Sequence, residues 1–313
     1  MNNRTKAIVG AVGWLALVVA ARVSPSAPGW TSVLIAFAAL VLVPLAIDLV
    51  TERRDTGKIG RNFELAQKIQ LPSAALLALS FGLPHGLWAF VAALPWALVT
   101  ALLASAGVGR LLRDRWARPI DRLGADVGLG FFVVGGMWVL IDRSGYRPLG
   151  FSPEIVALTA AHFHYAGLLL PLFAGQVARD VPDSRFASRA IVGTILGIPA
   201  LAAGITLTQL GWTPAFETAA GCGLALAGAS VGVLHVRWAL DARDSASSAR
   251  ALVAITGVAL FIAMILATLY ALRPYATPVP DLGIPQMRAF HGTLNAFGVG
   301  LCGVLGWRLA RRG

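Results

Sequence analysis

Residues 154–176 read EIVALTAAHFHYAGLLLPLFAGQ. After Glu154 no Asp, Glu, Lys or Arg occurs until Arg179. That apolar run is long enough for a helix to cross a bilayer core, which takes about 20 residues. Yet it holds His162, His164 and Tyr165. Ionisable side chains at membrane depth are costly and tend to mark function. A second stretch, RAFHGTLNAFG over 288–298, places Arg288, His291 and Asn295 in another apolar run.

Working outward, the same kind of run recurs. Ten spans are read at 7–22, 30–50, 65–83, 85–108, 123–141, 154–176, 190–210, 216–236, 251–272 and 286–307. Apolar residues make up 57% of the 313 positions and charged residues 13%, with a mean hydropathy of +0.72. A soluble domain carries roughly a quarter charged residues. The expectation is therefore an all-α polytopic transmembrane bundle, forming one integral membrane domain over 1–313. The third span is the least apolar, because its greasy part starts only at Leu71, after Lys68 and Gln70. The charged stretch before it, 51–64, is expected to run on as an interfacial helix. The N-terminus has the charge pattern of a signal peptide, with small residues near Ala27 between Pro25 and Pro28. A retained first helix is the preferred reading, since its removal would spoil the topology that follows.

Of the 26 Lys and Arg residues, five (Arg22, Arg143, Arg147, Arg273 and Arg288) fall on one side of this ten-span arrangement, and the other 21 on the opposite side. Positive charge gathers in cytoplasmic loops. Both termini are thus expected inside, in a multi-pass protein of a bacterial cell membrane. The net charge of +11 does not indicate a nucleic-acid partner, because the basic residues lie between apolar runs and no recognition motif accompanies them. The outer loop 273–285 holds Pro274, Pro278, Pro280 and Pro285, and is expected to be extended and stiff over a pocket mouth. Gly124/Gly128 and Gly228/Gly232 are spaced for close helix packing. Pro44, Pro95, Pro171 and Pro199 are expected to kink their helices. Cys222 and Cys302 read as small core residues, with a disulfide left open.

This orientation sets depth. The sixth span enters from outside, so His162 and His164 lie roughly 12–15 Å deep. In the tenth, His291 and Asn295 are one turn apart, with Arg288 a turn above. His85 and Glu217 open the fourth and eighth spans, and Asp142, Arg143 and Tyr146 close the fifth. A polar pocket toward the outer side is expected. His235, beside Arg237, reads as an interfacial residue at the inner edge. Asp48 and Asp126 read as structural, Asp126 one turn from Arg122. His162 and His164 stand about 200° apart on a helix and cannot face one small pocket.

On the motifs Ala161–Gly167 and Arg288–Gly298 the chain resembles the YndJ-like family of bacterial membrane proteins. The resemblance implies a membrane location and marks the motif residues. It supplies no reaction. Ala161-His162-Phe163-His164-Tyr165 is also similar to the haem-ligand helix of haem–copper oxidase catalytic subunits, where two such histidines bind two haems on opposite helix faces. The chain lacks that family's adjacent His-His pair and its His-Pro-Glu-Val-Tyr stretch, and has too few spans. Oxidase activity is not implied, whereas one bis-histidine haem or one bound metal such as copper stays open.

The leading functional expectation is a membrane-embedded enzyme acting by acid–base chemistry on an apolar, lipid- or isoprenoid-like small molecule in a biosynthetic step. Isomerisation, cyclisation, ring opening or hydrolysis would suit it. Imidazole exchanges protons near neutral pH. His162, His164 and His291 are the acid/base candidates, Arg288 would stabilise negative charge, Asn295 would orient substrate, and Tyr165 and Glu217 would assist. This reading needs no cofactor, and its partners are the substrate and membrane lipids. It requires imidazoles from separate helices to converge. The alternatives are a haem or metal redox protein and a transporter, the latter disfavoured by the lack of an internal repeat. No G-x-G-x-x-G, Walker, G-x-S-x-G or H-E-x-x-H pattern occurs, so soluble-enzyme templates find no support.

Overall fold

A computed structural model describes residues 1–23, 29–51, 55–114, 119–181, 184–276 and 280–311. The proposed cleavage region around Pro25, Ala27 and Pro28 lies outside the described residues, as do Arg53, Arg54, Arg115, Arg118, Pro278 and Arg312. Ten helices are described: α1 Asn3–Val23, α2 Trp30–Val50, α3 Gly57–Ser80, α4 Leu87–Arg113, α5 Ile120–Ser144, α6 Pro153–Ala178, α7 Arg185–Gln209, α8 Ala215–Asp241, α9 Ser247–Ala271 and α10 Ile284–Ala310. The protein is all-α. Nine of the ten are long and apolar enough to cross a membrane, and α3 is the exception. It starts at Gly57, so the charged stretch and the apolar run at Leu71 form one continuous helix.

The chain divides into two compact units, Met1–Arg118 with Ala125–Leu169, and Pro119–Gly124 with Leu170–Gly313. In the first unit α2 is the core element. Its sequence is apolar all round, and such a helix must be enclosed rather than surface-lying. Val33 through Ile47 are buried. Pro44 shapes it. Proline has no N–H and its ring crowds the carbonyl four residues back. Instead of a break, Ala38–Leu42 widen into a π-helix, and the Val43 N–H reaches the Ala38 carbonyl five residues back. The carbonyls that Pro44 cannot serve turn outward. Gln70 Nε2 donates to the Ala39 carbonyl at 2.7 Å. The Leu40 carbonyl lies so close to Gly10 of α1 that a Cβ there would overlap it. Through Pro95 and Pro199 the helices run on unbroken, whereas Pro171 follows a π-helical segment, Phe163–Gly167, and a turn at Leu168.

Contacts at the helix ends set the antiparallel alternation of this unit. Asn3 bonds Asp48, Lys6 bonds the Gln67 carbonyl, and Asn62 bonds Ser105, which gathers the starts of α1 and α3 with the ends of α2 and α4. At the other end the Gly86 N–H donates to the Arg143 carbonyl, and Arg143 donates to that of Ser80. In the second unit, small residues allow close backbone approach. Gly232 lies against the Gly257 carbonyl, and Gly124 against that of Pro171. Gly128, in the first unit, meets the Leu168 carbonyl in the same way. The expected small-xxx-small packing is therefore present.

Candidate functional site: the histidine turns

Both histidine motifs sit on π-helical turns. α6 starts regularly, with Pro153 in its first turn and the Ser152 hydroxyl accepting the Ile155 N–H. It stays α-helical to His162, then widens into a π-helix over Phe163–Gly167. α10 is π-helical over Arg288–Gly292 and again over Leu294–Leu301. Such turns are rare and concentrate at functional sites.

In the first unit His164 is fully buried and His162 is exposed on the helix surface, so the two rings leave α6 on different sides. His164 Nδ1 lies 2.7 Å from the Ala160 carbonyl. A carbonyl only accepts, so Nδ1 carries the proton. Nε2 is then an acceptor, and the Trp96 indole N–H donates to it at 2.9 Å. Phe132 meets the ring edge-on at 5.1 Å. Both nitrogens of His164 are thus committed to the protein. His162 Nδ1 bonds the Leu158 carbonyl at 2.9 Å, which makes Nε2 its basic atom as well. Tyr165 does not extend a row from His164. Its hydroxyl donates to the Leu34 carbonyl at 2.7 Å and ties α6 to α2.

In the second unit His291 is half-buried, and its Nδ1 donates to the Ala263 carbonyl of α9 at 2.9 Å. Asn295 Nδ2 donates to the His291 carbonyl at 2.8 Å and stitches the two π segments together. Its amide oxygen is the atom it can offer a ligand. Arg288 is half-buried at the head of the same segment. Glu217 lies 3.8 Å from Arg273, whose guanidinium stacks 3.7 Å over the Tyr270 ring. A groove of about 320 Å³ between α8 and α9 is lined by Cys222, Ala225, Phe261, Met264 and Thr268, and is apolar. The expected residues therefore divide: His162, His164 and Tyr165 belong to the first unit, and Glu217, Arg288, His291 and Asn295 to the second.

His235 corrects the sequence reading. It is not interfacial but fully buried, with Nδ1 on the Val231 carbonyl at 2.8 Å and Nε2 accepting the Trp307 indole N–H at 3.1 Å. The neighbouring Arg237 suggested a surface, whereas the side of α8 that carries His235 faces the core. Asp126 likewise pairs with Arg110 at 3.1 Å, both buried, and Arg110 also holds Asp55, whose side chain is largely covered, at 2.5 Å. His85 lies 3.8 Å from Asp142 at the end of the first unit and is half-exposed. Partial burial lowers its pKa below the ordinary 6.5, the Arg143 charge lowers it further, and Asp142 opposes both. Cys222 and Cys302 are free thiols. Among the described residues no group of three or more His, Cys, Asp or Glu is placed to hold a metal.

Sequence reasoning missed Trp96, Trp307, Gln70 and Arg110 as polar partners. A buried indole N–H needs an acceptor. That requirement signals that a partner exists without saying which.

The sequence profile described as YndJ-like protein matches residues 33–299. The chain is 29% identical over 218 residues to a Bacillus subtilis (strain 168) protein named "Uncharacterized membrane protein YndJ". That match covers 69% of this chain and 38% of the relative, so the chain spans about two fifths of the relative's length. No solved structure matches.

Proposed function

The chain belongs to the YndJ-like family of multi-pass membrane proteins, and from that premise we propose that it is a membrane-embedded acid–base enzyme acting on an apolar, lipid- or isoprenoid-like small molecule. One observation carries the reading. The two motifs that bear polar residues in greasy runs both leave α-helical for π-helical geometry, as otherwise only the apolar segment before Pro44 does among the described residues.

Chemistry supports particular roles. An imidazole tethered through Nδ1–H presents Nε2 as its base. His291 is the first candidate for proton transfer, and His162 is the second. Arg288, one short step along α10, would stabilise an enolate, alkoxide or carboxylate as charge develops, an effect strengthened where water is scarce. Asn295 would orient substrate through its amide oxygen. His164 serves as the fixed peg of its π turn, Tyr165 as an anchor, and Glu217 as the partner of Arg273. The 21-to-5 distribution of basic residues supports both termini in the cytoplasm.

The test compares membrane lipid extracts by mass spectrometry from cells expressing the full chain, His291→Ala, or no chain. The expected result is a compound whose level changes with the full chain and reverts with His291→Ala, while the variant inserts and folds. Identical extracts from the wild type and the variant would sink the assignment of His291. A second reading has its own support, because Nδ1-to-carbonyl tethering is also how metal-binding imidazoles are held. A Soret band or stoichiometric metal in the purified protein would favour it over the first.

A further inference from the structure

The outward face of α3 changes character along its length. Near its C-terminal end it shows Leu79, Leu76 and Ala75. Toward its start the same face shows Lys68, Leu65, Glu64, Arg61 and Lys58, all exposed. At 100° per residue these five fall within about 120° of one another, opposite the buried Phe63, Ala66 and Gln70. Three cations and one carboxylate thus share a stripe with a net positive charge.

This stripe extends alongside α4, a helix long and apolar enough to cross a membrane. Antiparallel to α3, α4 carries no charged residue from Leu87 to Gly109. Asn62 bonds Ser105, and a Cβ on Gly109 would touch Ile59, which fixes the register. Lys68 is therefore level with about Val99, deep beside an apolar helix that exposes Leu98 and Val108. The apolar part of α3, residues 71–80, is only about 15 Å long. A hydrocarbon core is about 30 Å thick. Such a mismatch is relieved by local thinning or by snorkelling of long basic side chains.

We propose that Lys58, Arg61 and Lys68 form a binding site for the phosphate of an anionic phospholipid, drawn inward along α3. Charge complementarity selects an acidic headgroup, and the apolar flanks of α4 accept its acyl chains. Each basic side chain near a membrane surface is worth about fivefold in affinity for anionic lipid.

The test delipidates the purified full chain in mild detergent, adds phosphatidylglycerol or phosphatidylcholine, and counts retained lipids by native mass spectrometry. Phosphatidylglycerol should be retained about tenfold better or more. The triple variant Lys58→Gln/Arg61→Gln/Lys68→Gln should lose that preference, while Lys58→Arg/Lys68→Arg keeps it. Equal retention of the two lipids, or a preference unchanged in the triple variant, overturns the site. Displacement by glycerol phosphate alone at equal concentration overturns the lipid assignment in favour of a free anion. Should the triple variant fail to fold, the single variants Arg61→Gln and Lys68→Gln carry the same comparison, each expected to lower the preference severalfold.

Discussion

The Trp96 indole N–H donates to Nε2 of His164 at 2.9 Å, between helices whose partners stand 68 residues apart in sequence. The second unit repeats the pairing, with Trp307 donating to His235 at 3.1 Å. In each case Nδ1 is spent on the carbonyl one turn back. These two histidines are neutral structural pegs with both nitrogens occupied.

Trp96→Phe should therefore destabilise the first unit by about 1–3 kcal/mol, the cost of leaving a buried acceptor unmet. Pairing it with His164→Leu should cost less than the sum of the two single changes. Thermal or SDS unfolding of the purified protein provides the measurement. Strict additivity would mean that the bond contributes nothing.

Gly10→Val should destabilise the same unit by about 1–3 kcal/mol, because the added carbons must displace the Leu40 carbonyl that Pro44 turns outward. Gly13, three residues on, has open space around its Cβ position. Gly13→Ala should stay within about 0.5 kcal/mol of wild type. Equal effects at both positions would contradict the helix approach described for α1 and α2.

Removing one member of the buried Arg110–Asp126 pair should be severe. Arg110→Met leaves Asp126 and Asp55 without that partner inside the protein, and such losses cost about 3–5 kcal/mol. Reduced yield of folded protein by size-exclusion chromatography is the expected readout. Arg122→Met should have a much smaller effect, since the Arg110 contact, rather than spacing along α5, accounts for Asp126.

His85 sits outside the membrane spans, so its titration bears on stability in solution. Its folded pKa lies below the ordinary 6.5, first through burial and then through the Arg143 charge. The unfolded chain then binds more protons between the two pKa values, so stability falls as pH drops below about 6.5. His85→Gln should flatten that part of the profile. Asp142→Asn should depress the His85 pKa further by removing the one nearby charge that raises it. Melting curves from pH 5 to 7.5 and imidazole NMR titration test both statements. A His85 pKa that rises in Asp142→Asn would refute the account.

Hydropathy alone was enough to count ten helices and to find the two histidine stretches, because a run of apolar residues is a local property. The charged stretch before the span at 65–83, expected to be helical, forms one helix with it from Gly57, whose first half packs Phe63 and Ala66 inward and points Lys58, Arg61 and Lys68 out. Its amphipathic period was already in the sequence, whereas the packing of its inward face against α2 and α4 was not. The π turns had partial warning, since Pro44 forbids a regular ladder in α2 and Pro171 follows the π turn of α6, yet no proline follows the turns of α10 within that helix.

What the chain determined by itself is therefore the class of the fold, the order of its helices and the positions of its polar residues within them. Tertiary structure decided which of those residues are already bonded. His164 and His162 are two residues apart and chemically identical, but one is enclosed against Trp96 and the other lies at the helix surface. His235 looked interfacial beside Arg237 and proved to be a core residue answered by Trp307, 72 positions away. A buried donor or acceptor must be met by whatever packing brings alongside it, and side chains so distant along the chain leave no local pattern from which their pairing can be read.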